Sequence, residues 1–309
     1  MLYRIRFKTL LLLLRYLCRR FPESALLNKI YNFYDPNNVR RHSNFTHREL
    51  RIVSAGLAGE LMQLDLNQHI DYKFFFLGYF DDLPRNLITS MGSIKDILFI
   101  DVGANVGLVS IPIAMMGYPT ISIEPLPKHI NKFEINLDLN PTANVKLIQS
   151  AVGAKEVEGK SRILKLHSPP GNSGATSSDP EWNPSFGAAE TYDVPIASLD
   201  ELCAGILPEF KFSKVLVKID VEGMELEVFS GCEGLIQAYR PVFLIEWKPI
   251  NQILEKFNQL DRFLSEYSYK LQVIPSTSRL HHSEFDPNQI YENLIVIPRE
   301  LTTFPNGLF

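Results

Sequence analysis

One short stretch of the sequence combines two acidic residues with a glycine-rich turn. Asp101 ends an apolar run, and Glu124 ends the next one. The turn between them has the spacing D-x-G-x-N-x-G, with Gly103, Asn105 and Gly107 following the first acid. Glycine lets backbone N–H groups approach a ligand without a Cβ in the way, and the start of the following helix adds a partial positive charge. The stretch therefore predicts a ligand-binding turn with a carboxylate on each side.

The two acids indicate what kind of ligand this turn would bind. A dinucleotide-binding turn has the spacing G-x-G-x-x-G, whereas here Leu108 stands where the last glycine would be. Asp101 would repel a pyrophosphate, but it suits a ligand that carries an ammonium group or a positive sulfur. Glu124 stands where an acid accepts hydrogen bonds from ribose hydroxyls in nucleotide-binding folds. Together they predict a ribonucleoside with a cationic tail, for which S-adenosylmethionine is the candidate.

Strand and helix patterns alternate from residue 97 onward. We predict strands in ILFID, PTISIE, VKLIQSAVG, VLVKID, PVFLIEW, YKLQVI and ENLIVIP, and helices over Asn105–Met116, Leu126–Leu139, Gly223–Tyr239 and Asn251–Tyr267. This alternation implies right-handed crossovers and a mostly parallel α/β sheet with helices on both faces. The last two strands have no helix between them, which predicts one antiparallel strand at the end.

Composition places the chain among ordinary globular proteins. Its 309 residues are 45% hydrophobic and 21% charged, and the net charge of −4 gives no general attraction to nucleic acid. Cys18, Cys203 and Cys232 lie far apart, so they form neither a disulfide framework nor a zinc site. This cysteine usage fits a reducing compartment and predicts a cytoplasmic protein.

The first 95 residues are expected to form an N-terminal extension of a domain that covers residues 96–309. Residues 1–20 carry six Arg or Lys, no acid and five consecutive leucines, which is too short for a membrane span. They could form a basic helix on an anionic membrane surface or a helix docked on the domain. The aromatic run Phe74–Phe76 is expected to pack in the core rather than to stack on an acceptor.

Four motifs resemble the FkbM-type methyltransferases, which are class I S-adenosylmethionine-dependent enzymes. They are FIDVGANVGLVS, SIEPLP, SAVG and KIDVEGMELEVFSG, and the resemblance covers roughly Gly78–Pro298. It implies a Rossmann-like, seven-stranded sheet whose last strand is antiparallel. It also implies that the glycine turn and Asp101 face the methionine part of the cofactor, that Glu124 binds its ribose, and that Ser150 and Ala151 lie near its adenine. The acceptors it implies are sugar or natural-product hydroxyls.

Three further acids are candidates for the chemical step. Asp220 ends the fourth strand, Glu222 follows two residues later, and Glu246 ends the fifth strand, so all three fall on the ligand-binding edge of the sheet. A base that takes the proton of a hydroxyl acceptor is worth about 10²–10⁴-fold in rate. We assign Asp220 or Glu222 as that base or as an acceptor anchor, and Glu246 to orienting the acceptor.

Each of these acids has an alternative interpretation. Glu222 could be an acid favoured by a helix N-terminus, and Glu246 could form an ion pair with Lys248. Asp220 and Glu246 could instead hold Mg²⁺ against a vicinal diol, although we predict no metal site.

A segment without periodicity, His167–Glu190, is rich in Gly, Ser and Pro and predicts a lid over the acceptor. The sequence thus predicts an O-methyltransferase for a small-molecule or glycan acceptor, which membrane contact through residues 1–20 would suit if the acceptor were a glycolipid. The alternatives are an NAD-dependent oxidoreductase, which the glycine spacing disfavours, and a non-catalytic binding module, which would be expected to have a broken cofactor turn.

Overall fold

A computed structural model describes residues 12–21, 29, 51–155, 162–169, 173–180, 189–247, 254–274 and 293–301. The strands are β1 Arg51–Ala55, β2 Leu61–Asp65, β3 Ile97–Val102, β4 Thr120–Ile123, β5 Val145–Ile148, β6 Ala151–Gly153, β7 Ile163–Ser168, β8 Glu190–Ser198, β9 Lys214–Ile219, β10 Val242–Glu246, β11 Tyr269–Ile274 and β12 Asn293–Pro298. The helices are α1 over residues 12–20, α2 His69–Leu77, α3 Leu83–Met91, α4 Ser110–Met115, α5 Pro127–Asp138, α6 Leu199–Ala204, α7 Glu225–Ser230, α8 Glu233–Tyr239 and α9 Leu254–Glu266.

The main sheet has seven strands in the order β11-β12-β10-β9-β3-β4-β5. Strand β12 runs antiparallel to both of its neighbours, and every other pairing in this sheet is parallel. The predicted class I architecture, with one antiparallel strand, is therefore confirmed. The chain leaves β3 toward β4 on one side and returns to β9 on the other, so the strand order reverses at β3. A crevice outside the carboxyl ends of β3 and β9 is where such sheets bind ligands.

Helices cover both faces of this sheet. All six residues of β3 are buried, as expected for a parallel strand between two helical layers. Leu98, Ile100 and Val102 belong to the hydrophobic cluster that includes residues of α7, α8 and α9. Ile97 and Phe99 point to the opposite face, where their cluster includes residues of α3 and α4. Alternate side chains of β3 thus pack against the helices on the two faces of the sheet.

Two predicted helices are shorter or divided. The helix expected over Asn105–Met116 begins only at Ser110, because Asn105 and the glycines beside it have positive φ angles that no helix accommodates. The helix expected over Gly223–Tyr239 is two helices, α7 and α8, that meet at Gly231. A Cβ at Gly231 would collide with the backbone carbonyl of Gly153, so the chain comes too close to its neighbour for any other residue. By contrast, α5 and the described part of α9 agree with the prediction.

The third predicted strand, VKLIQSAVG, is also divided. Its first half is β5 at the edge of the main sheet, and its second half is β6 in a separate sheet of order β6-β8-β7. Strand β8 pairs parallel to β6 and antiparallel to β7. Neither β7 nor β8 was predicted from the sequence, and the small sheet that they form with β6 lies beside the ligand-binding edge.

The N-terminal segment packs on the main domain through aromatic and aliphatic side chains. Phe74, Phe75 and Phe76 are buried in one cluster with residues of the glycine turn, such as Val106, and with Phe133 of α5. This confirms that the aromatic run packs in the core. The boundary near residue 95 stays a prediction.

Helix α1 joins the same cluster through one face. Leu14 and Cys18 are buried, one turn apart, while Leu12, Leu13 and Tyr16 are more than half exposed on the other side. The inner face of α1 therefore packs on the domain, which is one of the two alternatives that the sequence left open. Within the described part of the chain, no helix is long and apolar enough to cross a membrane.

Candidate functional site

A cavity of about 710 Å³ opens at the carboxyl ends of β3, β4, β9 and β10. Cavities of this size hold small organic ligands and cofactors. Its lining includes nine of the ten residues proposed from the sequence: Asp101, Gly103, Asn105, Glu124, Ser150, Ala151, Asp220, Glu222 and Glu246. The tenth, Gly107, lies outside the lining. Residues up to 145 positions apart in the chain are thus brought to one cavity.

The glycines of the turn are required by packing as well as by ligand access. Gly103 has a φ of +84°, and a Cβ there would collide with the carbonyl oxygen of Asp220. The turn after β3 therefore lies directly against the turn after β9. Gly107 has a φ of +86°, and a Cβ there would lie about 3.0 Å from the ring of Phe133. Glycine is therefore required at position 107 by packing in the core and not by access of a ligand to the cavity.

Glu124 is held in place by the backbone around it. Its carboxylate is almost fully buried, and its Oε2 accepts a hydrogen bond from the Asn105 N–H at 2.9 Å. Its Oε1 accepts one from the Leu126 N–H at 3.0 Å and lies 2.9 Å from His129 Nδ1. A carboxylate oxygen has two lone pairs, so Oε2 can accept one more hydrogen bond from a ligand in the cavity.

Asp101 is completely buried at the end of β3. Its Oδ2 accepts a hydrogen bond from the Ser110 hydroxyl at 2.6 Å. Its Oδ1 has no hydrogen-bond partner among the described residues and lies 3.8 Å from Lys218 Nζ. Burial raises the pKa of Asp101, and Lys218 and the Ser110 hydroxyl oppose that shift. One oxygen of a buried acid is therefore left for a cationic or N–H group in the cavity.

Lys218 is one site residue that was not predicted from the sequence. It lies beside Asp101 in the register of β9 with β3, and its Nζ is 3.1 Å from Asp220 Oδ2. Burial by itself would lower the pKa of Lys218, but Asp220, Asp101, Glu246 and Asp81 raise it on balance, so this lysine stays charged. The available signal was a lysine near the end of the otherwise apolar run VLVKID, a position where a charge needs partners.

The three acids proposed for the chemical step line the same cavity as this lysine. Asp220 is partly exposed to the cavity and pairs with Lys218. Glu222 has a φ of +51° and is nearly buried, and Glu246 ends β10 at the cavity. In the part of the chain that the structure describes, no group of three or more His, Cys, Asp or Glu side chains could hold a metal ion. Lys248, the alternative partner of Glu246, lies outside the described residues.

The loop predicted as a lid supplies one wall. Gly174, Ala175 and Thr176 line the cavity. The next residue, Ser177, donates its hydroxyl hydrogen to the Glu222 carbonyl at 2.9 Å and pairs through its backbone with His167. The described part of the loop is therefore tied to the turn that carries two of the candidate acids. Its closing over an acceptor stays a prediction.

The N-terminal segment supplies another wall that the sequence did not predict. His69, Ile70 and Lys73 of α2 line the cavity together with Phe80. Lys73 Nζ lies 5.0 Å from the centre of the Phe80 ring, within the range of a cation–π contact. The region that carries no recognisable motif thus contributes a basic and aromatic surface to the site.

Comparison with protein families gives one match, which covers more than half of the chain. Residues 101–271 match the family described as Methyltransferase FkbM domain. A search of curated proteins found no significant match.

Solved structures similar to the chain include several methyltransferases. The FkbM methyltransferase of Methylobacillus flagellatus KT shares 13% identity over 73% of this chain and 52% of that one, with a TM-score of 0.40, so the match spans about half of that protein. Human methyltransferase 10 domain containing protein shares 13% identity over 87% of this chain and 98% of that one, with a TM-score of 0.42. The magnesium protoporphyrin IX methyltransferase of Synechocystis PCC 6803 with bound SAM shares 9% identity over 92% of this chain and 97% of that one, with a TM-score of 0.39.

Proposed function

Because the chain belongs to the FkbM methyltransferase family, whose members use S-adenosylmethionine, we propose that it methylates a hydroxyl oxygen of a sugar or natural-product acceptor. The observation that supports this proposal is one cavity lined by the carboxylate of Glu124 at the end of β4 and by Asp220, Glu222 and Glu246 at the ends of β9 and β10. An enzyme of this kind needs both a cofactor site and a proton acceptor within reach of the transferred group. The family match also removes the support for a dehydrogenase.

The residues at the first end fit S-adenosylmethionine. Glu124 Oε2 can accept a second hydrogen bond, from a ribose hydroxyl. Asp101 Oδ1 is a buried oxygen that can accept a hydrogen bond from the ammonium group of the methionine part. Ser150 and Ala151 form the wall nearest to the start of β6, where the family resemblance puts the adenine. These fixed carboxylates would bind and orient the cofactor without reorganising.

The residues at the second end support transfer to an oxygen. S-adenosylmethionine, when bound, supplies the methyl group on a positively charged sulfur. A hydroxyl acceptor loses its proton as the new C–O bond forms and the S–C bond breaks, and Asp220 or Glu222 would accept that proton. Glu246 would accept a hydrogen bond from a neighbouring acceptor group and so align the reacting oxygen. Alignment alone can lower much of the barrier of such a displacement.

Substitution of Asp220 tests the assignment of the base. Asp220→Asn should reduce turnover by about 10²–10⁴-fold, because the amide cannot take the proton. The assay uses S-adenosylmethionine labelled on its methyl group with a panel of sugars and natural-product alcohols, and mass spectrometry locates the label. Asp138→Asn, at an exposed position of α5, is the matched control and should keep full activity.

Three results would contradict the proposal. A fully active Asp220→Asn enzyme would remove Asp220 from the chemical step and leave Glu222 to be tested in the same way. Label found on carbon or nitrogen would overturn the oxygen assignment. A protein that binds the cofactor but labels no acceptor in whole-cell extract would favour the non-catalytic module.

A further inference from the structure

His129 is a buried histidine of the cavity wall that has no role in the function described above. It lies in the first turn of α5, is 4% exposed and lines the cavity. Its Nδ1 lies 2.9 Å from Glu124 Oε1, but its buried Nε2 has no hydrogen-bond partner among the described residues. Most buried polar atoms have a hydrogen-bond partner, so a buried atom without one, on a residue of the cavity wall, indicates a contact with a ligand.

The neighbouring carboxylate determines what Nε2 can do. Carboxylate oxygens accept hydrogen bonds, so the contact with Glu124 puts the hydrogen of a neutral imidazole on Nδ1 and leaves a lone pair on Nε2. Glu124 Oε1 also accepts a hydrogen bond from the Leu126 N–H, which holds in place the atom that His129 Nδ1 contacts. The wall therefore presents two hydrogen-bond acceptors on side chains in contact with each other: Glu124 Oε2 and His129 Nε2.

We propose that His129 is a further cofactor-binding residue, whose Nε2 accepts a hydrogen bond from one ribose hydroxyl while Glu124 accepts the other. This inference rests on the proposed function, because it names the part of the same cofactor that the pair recognises. A cis diol offers two O–H donors on adjacent carbons and matches two fixed acceptors better than any single hydroxyl does. The pair would therefore select ribonucleosides over nucleosides that lack one of the hydroxyls.

Two substitutions separate binding by Nε2 from simple support of Glu124. His129→Asn keeps an N–H near the position of Nδ1 and removes the Nε2 acceptor. His129→Gln puts an amide oxygen near the position of Nε2 and loses the Nδ1 contact with Glu124. Glu134→Gln, at an exposed position of the same helix, is the control and should behave as the unchanged protein.

The experiment measures by calorimetry the binding of S-adenosylhomocysteine and of its 2′-deoxy and 3′-deoxy forms to the full chain. Loss of one hydrogen bond is expected to weaken the affinity of His129→Asn for S-adenosylhomocysteine roughly tenfold. The same variant should no longer distinguish S-adenosylhomocysteine from one of the two deoxy forms. His129→Gln should keep part of that discrimination.

Equal loss of affinity for all three compounds in His129→Asn would overturn the inference, because it would mean that His129 only supports Glu124. Unchanged affinity and discrimination in that variant would overturn it as well. If the unchanged protein binds none of the compounds, the proposed function itself fails and the inference falls with it. Thermal unfolding of each variant without ligand identifies a protein that has lost its fold. If His129→Asn is unfolded and His129→Gln is folded, the discrimination measured for His129→Gln tests the inference instead.

Discussion

The two ends of the cavity hold their buried carboxylates by different means. At the end of β4, Glu124 accepts hydrogen bonds from the backbone N–H groups of Asn105 and Leu126, and its carboxylate contacts His129 Nδ1. At the ends of β3 and β9, Lys218 lies between Asp101 and Asp220, with its Nζ within 4 Å of both. The first arrangement fixes a geometry, whereas the second balances charge.

This difference has consequences for how each end responds to change. Neutral donors around a carboxylate set its direction, so their loss affects mainly what the carboxylate binds. A buried ammonium between two carboxylates sets their charge balance, so its loss leaves buried charge uncompensated and affects the whole fold. Loss of Glu124 is therefore expected to affect mainly affinity, and loss of Lys218 to affect stability as well as the proposed chemical step.

The largest effect is expected for Lys218→Met, which keeps the length of the side chain and removes its charge. Leaving Asp101 and Asp220 without this cation should lower the free energy of unfolding by about 3–5 kcal/mol. Urea denaturation measures the change. Adding Asp101→Asn to this variant should recover part of the loss, because it removes the fully buried one of the two negative charges that Lys218 compensates. A Lys218→Met protein within about 0.5 kcal/mol of the original would show that the lysine does not balance these acids.

A smaller effect, on binding, is expected for Glu124→Ala. The variant loses a charged hydrogen-bond acceptor for the ribose, so the binding of S-adenosylhomocysteine should weaken by about 1.5–3 kcal/mol. Calorimetry measures the affinity, and unfolding of the free protein is followed in parallel. Unchanged affinity would remove the ribose assignment and, with it, the contrast between the two ends.

The smallest effect on the cavity is expected for substitutions on the outer face of α1. Leu12, Leu13 and Tyr16 are exposed beside a basic segment, so replacing all three with serine should reduce co-sedimentation with anionic vesicles. Affinity for S-adenosylhomocysteine should stay unchanged, because these side chains face away from the cluster that contacts the glycine turn. If the unchanged protein does not sediment with such vesicles, the predicted membrane contact is wrong.

Much of this site was predictable because its residues follow strand ends. Asp101, Glu124, Asp220 and Glu246 each end an apolar run, and parallel strands bring their carboxyl ends to one edge. Lys218 was not predicted, because its partner Asp101 lies on a neighbouring strand that is distant in the chain, although Asp220 is only two residues away. The sheet of β6, β7 and β8 was missed for a related reason: its pairing depends on contacts between segments whose own patterns are weak.

The sequence alone determined the alternation of strands and helices, the acids at the strand ends and the family, because apolar periodicity and short motifs are local properties of the chain. Only the tertiary structure decided that Lys218 balances two of those acids, that His129 is oriented by Glu124, and that α2 forms a wall of the cavity. The position of Lys218 beside Asp101 and that of α2 at the cavity depend on packing between residues far apart in sequence. The contact of His129 with Glu124 depends on how two nearby side chains are oriented, which no local pattern records.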